Sequence, residues 1–551
     1  MQHTRDDGLL ATDAHSKALA CYASIWTLYT WVPALDAALS GAQGAVDSRP
    51  LTHGDLLLLP LALLACWRCV SPRTLAAAHL VKLALFFMRL PFVWDHEWWA
   101  TLNEAALVGA CLLSPLEPAP AFFEAARVQL VLLYASAAFW KLNTSFLDPT
   151  TSCATVILMQ QLAAFAPPAL ASTAAAAVAA CAPTLAIAVE LLIPALLYFR
   201  PRAGVALALL FHGLVLLTPA PNYAGGFSVS CAARLLLCLP PTRAAHVQLL
   251  AVGPALAASL AAAATAEPSA TLAAFAAIGT AHLVALVPRD APATAPPPPA
   301  RLSHGERRSL TSGAAWATAL YAVALPVLGL QHMGSSSMYA NLKHWGGSNH
   351  LLVPTGLLQD WLADAGGALG SAFGGGLVRV DRVRGLSLEA LNCWASLEPV
   401  PRVAHLLRAS GHSGRQLAAY YSPGRMASLD AAGHAVAAPA LPVAMPAFEL
   451  RRALAAARAQ HLEAEATAVR LPHALRTPAE WLAHRGSAVT IGADGSCVRA
   501  RSGPLRWVEA RRCNADELRL ATPPPWLLAK LLLPYPAPLL PGDSTELHCS
   551  A

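Results

Sequence analysis

The chain has 551 residues, of which 56% are hydrophobic and only 13% charged, with a mean hydropathy of +0.47. Soluble domains carry about 25% charged residues, so this deficit excludes a string of ordinary soluble domains and points to membrane helices. The formal net charge of +6 is spread thinly, with no dense Lys/Arg cluster interleaved with aromatics, which argues against nucleic acid as a partner.

Residues 1–17 are polar and hold no short apolar run before a small-residue cleavage site, so they read as a cytosolic tail. The first membrane helix is then expected to serve as its own insertion signal. Apolar stretches long enough to cross about 30 Å of hydrocarbon recur after it. They cover residues 18–38, 54–70, 74–94, 101–116, 121–141, 169–199, 203–218, 225–240, 246–265, 269–287 and 312–331. Lys and Arg concentrate in alternate loops (Arg68 and Arg73, Arg200 and Arg202, Arg243, then Arg289, Arg301, Arg307 and Arg308), whereas the opposite loops carry Asp36, Asp47, Asp95, Glu97 and Asp148. This bias predicts a cytosolic N-terminus and a lumenal C-terminus. The sequon Asn143-Thr144-Ser145 falls on the expected lumenal side.

After Gln331 the pattern changes. Residues 376–383 (GLVRVDRV) and 488–498 (AVTIGADGSCV) alternate like strands, the second around a Gly-containing turn, while 386–396 and 448–464 read as helical. Residues 521–540 are apolar but broken by prolines, a segment suited to lying on a membrane surface. The expected fold is a polytopic α-helical membrane protein of about nine to eleven transmembrane helices with a C-terminal soluble α/β or mostly β lumenal domain. Its parts are the tail 1–17, a transmembrane domain 18–331 with a proline-rich cytosolic linker 288–311, and a lumenal domain 332–551. The expected home is the endoplasmic reticulum or another endomembrane, as a multi-pass protein in contact with the lipid bilayer.

Of twelve cysteines, Cys21, Cys66, Cys69, Cys111, Cys153, Cys181, Cys231 and Cys238 lie in or beside apolar segments and read as buried free thiols. Cys393, Cys497, Cys513 and Cys549 can pair if their part faces an oxidising lumen. Charges within membrane helices cost about 2.5–3.5 kcal/mol at the bilayer centre, so each one is a functional candidate. Here they are Lys82, Arg89, Glu104, Glu124, Arg127, Lys141, Glu190 and Arg234, with His79 and His212. Lys82 and Arg89 read as anchors, with Glu190 as a partner for one of them. His212, inside an apolar helix, is expected to hydrogen-bond another helix. Asp95, His96, Glu97, Lys141 and His212 should converge near one leaflet, where a desolvated lysine can act as a base and a histidine can move protons. His344 and His350 lie in a connector rich in His, Asn, Trp and Gly (337–354), which reads as a packed loop rather than a metal site. No HExxH, P-loop or dinucleotide-binding glycine pattern occurs, so no metal is expected.

Residues 134–143 (YASAAFWKLN) resemble the segment that carries the catalytic lysine in vitamin K-dependent gamma-carboxylase, a member of the horizontally transferred transmembrane domain family. Lys141 matches that lysine, while Trp140 stands where the family has a second lysine and Asn143 where it has an aspartate. Residues 94–105 (WDHEWWATLNEA) are similar to the family's Trp-Asn-Asn-His segment and put His96 next to its histidine with an offset of one. Phe211-His212-Gly213, then Gly226-Phe227-Ser228, resemble its Phe-His helix and the following one. Ser337-Met338-Tyr339 resembles the stretch that opens its lumenal domain. The resemblance covers residues 18–350 and implies Lys141, His96 and His212 as catalytic residues. It also implies a reduced vitamin K or related quinone as cofactor and a lumenal protein or peptide as substrate. Lys141 would deprotonate the quinone, which with oxygen gives a base that removes a proton beside a carboxylate, and the carbanion would capture carbon dioxide with help from His96. A transporter or channel, or a non-catalytic scaffold or maturation factor, are the rival classes.

Overall fold

A computed structural model of the chain describes chiefly residues 14–26, 71–219, 224–240, 304–331, 336–355, 375–412, 435–501 and 509–534, with a few positions missing inside these stretches and single ones added elsewhere. The first half is a helical bundle. Its helices are α1 (Pro72–Arg89), α2 (Asp95–Leu113), α3 (Pro118–Trp140), the single turn α4 (Thr144–Leu147), α5 (Cys153–Phe165), α6 (Pro168–Phe199), α7 (Pro201–Leu216) and α8 (Gly225–Leu235). A last helix, α9 (His304–Ala319), continues through a π turn, Leu320–Ala324, to Val327.

Local chemistry sets these boundaries. Ser71 caps α1 by accepting a hydrogen bond from the Thr74 amide at 3.2 Å, with Pro72 at the first position, where its missing N–H costs nothing. Prolines 118, 168 and 201 open α3, α6 and α7 in the same way. Inside α6, Pro194 has no N–H to offer the carbonyl of Glu190 four residues earlier, so the helix is loosened at a buried glutamate.

Nine to eleven membrane spans are not what the structure contains. Among the described residues, three helices are long and apolar enough to cross a membrane: Pro118–Trp140, Pro168–Phe199 and Ser309–Val327. The reason is partly length. At about 1.5 Å per residue, the 16-residue α7 and the 11-residue α8, both expected as spans, are shorter than about 30 Å of hydrocarbon. It is partly charge, since α1 carries Lys82 and Arg89 and α2 carries Asp95, Glu97 and Glu104. An Ala- and Leu-rich helix buried in a bundle has the hydropathy of a span without being one. The expected spans 54–70 and 246–265, and most of 269–287, lie outside the described residues.

The second half is built on antiparallel sheets rather than parallel α/β units. Its strands are β1 (Leu377–Arg384), β2 (Ser396–Glu398), β3 (Gln416–Leu417), β4 (Ala435–Ala437), β5 (Val443–Pro446), β6 (Glu465–Arg470), β7 (Ala488–Gly492), β8 (Cys497–Arg501) and β9 (Glu509–Arg512). Six of them form one sheet in the order β5-β1-β6-β7-β8-β9, and β3-β2-β4 form a second. The stretch 386–396, expected as a helix, ends in strand β2, whereas 448–464 is represented by helix α11 (Ala447–Ala459) after α10 (Pro401–Ala409). The buried stripe Ala447, Leu450, Leu454 and Ala457 of α11 packs on Val378, Val380, Val489 and Ile491 of the sheet. Short helices α12 (Pro478–Ala483) and α13 (Ala515–Ala521) start at capping boxes on Thr477 and Asn514, and α14 (Trp526–Leu531) follows.

A disulfide joins Cys497 on β8 to Cys513 just beyond β9. Cys153, expected as a free thiol, is also disulfide-bonded. Cys66 and Cys69 lie outside the described residues. Two contacts seat the sheet domain on one end of the bundle. Val403, Leu406 and Leu407 of α10 pack among Ala171, Ala175 and Ala179 of α6, and Lys530 Nζ donates to the Met88 carbonyl near the end of α1 at 3.0 Å.

Candidate functional site

Lys141 is the residue on which α3 ends. Its amine lies 2.9 Å from Glu190 Oε2, in the middle of α6, and both side chains are more than nine-tenths buried. The amine also donates weakly to the Ala137 carbonyl at 3.4 Å and sits 5.9 Å over the Phe146 ring. Expectation had paired Glu190 with Lys82 or Arg89. Instead Lys82 meets Glu104 at 3.4 Å and Arg89 meets Glu97 at 3.2 Å, so each cation takes the carboxylate on its own side of the bundle. Arg127 caps α6 by donating to the carbonyls of Leu197 and Tyr198. With Arg127 held near the end of α6 and Lys141 near its middle, α3 and α6 run antiparallel.

Two turns before Lys141 on α3, about 10 Å along the axis, lies Tyr134. Its hydroxyl is 2.7 Å from Nε2 of His212 on α7. Both residues are buried, and Phe211 and Phe227 pack edge-on against the imidazole. His212 Nδ1 has no hydrogen-bond partner among the described residues. His96, near the start of α2, lies against Gly226: a Cβ there would stand 2.9 Å from the imidazole, so glycine is needed for the close approach. His96 and His212 thus meet consecutive residues of α8, Gly226 and Phe227, and His212 is bonded to the helix that ends in Lys141. Lys141 itself is paired across to α6.

The corner after Lys141 is tightly built. Trp140 Nε1 donates to the Ala322 carbonyl, which lies in the π turn, at 2.6 Å. Asn143 is fully buried and caps α4 by accepting from the Phe146 amide at 2.9 Å. Its Nδ2 donates to the carbonyls of Trp140 at 2.8 Å and Ala340 at 2.6 Å. An aspartate has no N–H to give these two carbonyls, so the corner itself requires an asparagine here. The same burial removes Asn143 as a glycan acceptor, and with it the support that the sequon lent to a lumenal assignment.

The connector runs beside this corner like a strap. Asn143 and His350 form an isolated antiparallel bridge, and Leu351 N–H donates to the Leu142 carbonyl at 3.0 Å. Asn349 Nδ2 reaches Asn143 Oδ1, Ser145 Oγ and the Asn341 carbonyl. His350 Nε2 bonds to the Phe139 carbonyl at 2.9 Å, while Nδ1 accepts the amides of Leu352 and Val353. Those bonds fix a neutral ring, and burial holds its pKa below the ordinary histidine value. His344 is similarly engaged with the Pro326 carbonyl at 2.9 Å. No group of three or more His, Cys, Asp or Glu poised for a metal occurs among the described residues.

A second polar cluster lies deeper in the bundle. Glu104 Oε1 accepts from Trp26 Nε1 at 2.9 Å, and Lys82 Nζ donates to Thr30 Oγ1 at 3.0 Å. Sequence reasoning singled out Lys82 and Glu104 but not Trp26 or Thr30, and it missed Tyr134 altogether. The seven-residue spacing between Tyr134 and Lys141, which puts both on one helix face, was the available signal.

A family model described as a domain of unknown function (DUF8388) matches residues 348–530, the sheet domain. No curated protein and no solved structure matches the chain.

Proposed function

We propose that this chain is a membrane-bound acid–base catalyst of the vitamin K-dependent gamma-carboxylase type, acting on a carboxylate-bearing peptide or related substrate. The reading rests on one observation above all: the buried ion pair of Lys141 and Glu190, 2.9 Å apart at a helix end. The pair sets an amine and a carboxylate side by side at a helix end, two of the group types that general acid–base chemistry uses. Removing that pair from water strengthens the coupling between its partners. Tyr134 orients the His212 ring through its hydroxyl, which leaves Nδ1 free to exchange a hydrogen bond with a ligand.

The residues present fit a reduced quinone. The Phe211 and Phe227 rings make the surroundings of His212 apolar, and its buried, unpartnered Nδ1 suits a quinone hydroxyl. When bound, a reduced quinone supplies, together with oxygen, the strong base that carbon deprotonation needs. Lys141 would serve as the proton acceptor, Glu190 would hold the protonated amine in place, and His96 packed on Gly226 would help to exclude water. The three candidate spans support a membrane location, and the Cys497–Cys513 disulfide supports an oxidising compartment around the sheet domain, as in the endoplasmic reticulum lumen.

The test is incorporation of labelled bicarbonate into a glutamate peptide in the presence of vitamin K hydroquinone, comparing wild type with Lys141→Arg at matched expression. Arginine keeps the charge and can keep the Glu190 contact, but it stays protonated and cannot serve as a base. Wild-type product that disappears in the Arg variant is the expected result. Near-normal product from that variant would reduce Lys141 to a structural cation, and no product from wild type would remove carboxylation.

A further inference from the structure

Two groups of exposed apolar side chains lie next to the contacts between the sheet domain and the bundle. One is Leu351 and Leu352, the latter 68% exposed, and the other Trp526, 70% exposed, and Leu527. Both patches are tied to helix ends. Leu351 N–H is bonded to the carbonyl of Leu142, one residue past Lys141. Lys530, on the same short helix as Trp526, is bonded to the carbonyl of Met88, one residue before α1 ends. Both bonds are made at the C-terminal ends of bundle helices, where the sheet domain is attached.

We propose that these patches dip into the headgroup region of the bilayer and seat the sheet domain on it, so that the occupant of this face is lipid. The proposal rests on the reading that the chain spans a membrane. Three features favour lipid over a protein partner. The helix that carries Trp526 is joined through Lys530 to the exposed Phe87 and Met88 of α1, part of the apolar flank of the bundle. Lys530 has its amine 5.8 Å over the Phe87 ring, combining an apolar body with a cation as interfacial lysines do. Trp526 is also presented rigidly: buried Arg451 donates to the carbonyls of Thr522 and Pro523 just ahead of α14, at 2.7 and 3.4 Å. Tryptophan and leucine on a fixed arm beside a lysine form the pattern of an interfacial anchor.

The experiment uses the full chain in lipid nanodiscs. A genetically encoded fluorescent amino acid is placed at position 352, 526, 316 or 463 in turn, with nitroxide-bearing lipids as quenchers. All four native side chains are exposed, so the probe replaces no core contact. Position 316 on α9, six residues before the Ala322 that Trp140 meets, reports the span, and position 463, in the β6 approach, reports the domain surface. Quenching at 352 and 526 by a nitroxide near the headgroup, several-fold above that at 463, is the expected outcome. If 316 is quenched by a deep nitroxide while 352 and 526 respond no more than 463, lipid does not cover this face and a protein or second copy does. That overturns the seat and leaves the span intact. If 316 is not quenched either, the membrane reading falls and the seat with it. Stronger quenching of 352 and 526 by the deep nitroxide than by the shallow one would also overturn an interfacial seat.

Discussion

Glu190→Gln is the most informative single change in the bundle. At 2.9 Å the Coulomb attraction between Lys141 and Glu190 is about 6 kcal/mol at an effective dielectric of about 20. Burial of both groups offsets much of that gain, so the intact pair adds little net stability. Removing one partner is different, because the other charge stays buried without compensation. The expected loss is about 3–5 kcal/mol for Glu190→Gln, and a similar loss for Lys141→Met. The double variant, with no charge left at the site, should regain most of this and lie within about 1 kcal/mol of wild type. Denaturant unfolding in mild detergent, followed by tryptophan fluorescence, gives all four stabilities and hence the coupling energy. If both single variants stay within about 0.5 kcal/mol of wild type, the pair is effectively solvated and the dry acid–base site does not exist. Activity separates the roles further, since the double variant should be stable yet inactive.

Three other outcomes are expected. Asn143→Asp should destabilise by about 3 kcal/mol by orphaning the carbonyls of Trp140 and Ala340, while the Asn143 peptide of the wild type should show no glycan mass. Replacing Cys497 and Cys513 by serine should cost about 3 kcal/mol, read by thermal unfolding of the full chain, because their 16-residue separation closes a loop of moderate length. Acidification should loosen the strap: with the folded pKa of His350 below the unfolded value of about 6.5, the stability it contributes is complete above that value and is lost as pH falls towards the folded one. Faster amide exchange of Leu352 and Val353 at pH 5 than at pH 7.5, after correction for intrinsic rates, is the observable.

Part of this was legible in the sequence. The strands at 376–383 and 488–498 stood out because alternation in a half-buried antiparallel sheet has a period of two, and that period survives in a single sequence. The bonding of His212 to another helix was also foreseeable, since a polar ring inside an apolar helix must find a partner. The number of spans was not legible. Hydropathy measures how apolar a segment is but not what covers it, so the short α7 and α8 look the same in a window as lipid-crossing helices. The choice of Glu190 as partner for Lys141 was hidden for a related reason. It depends on α3 and α6 running antiparallel, and the residues themselves do not announce which helices are neighbours.

The strap also bears on how separable the two halves of the chain are. The stretch matched by the family model begins at residue 348. Its opening residues Asn349, His350 and Leu351 already have their backbone and side-chain partners in the 139–145 corner of the bundle. A fragment starting there leaves those groups to water and exposes the α10 face that α6 covers. The sheet domain is therefore a module in sequence but not in its bonding. Fusions or excisions that respect the folded chain must keep the α3–α5 corner with it, and proteolysis between the halves should release the domain only after that corner has opened.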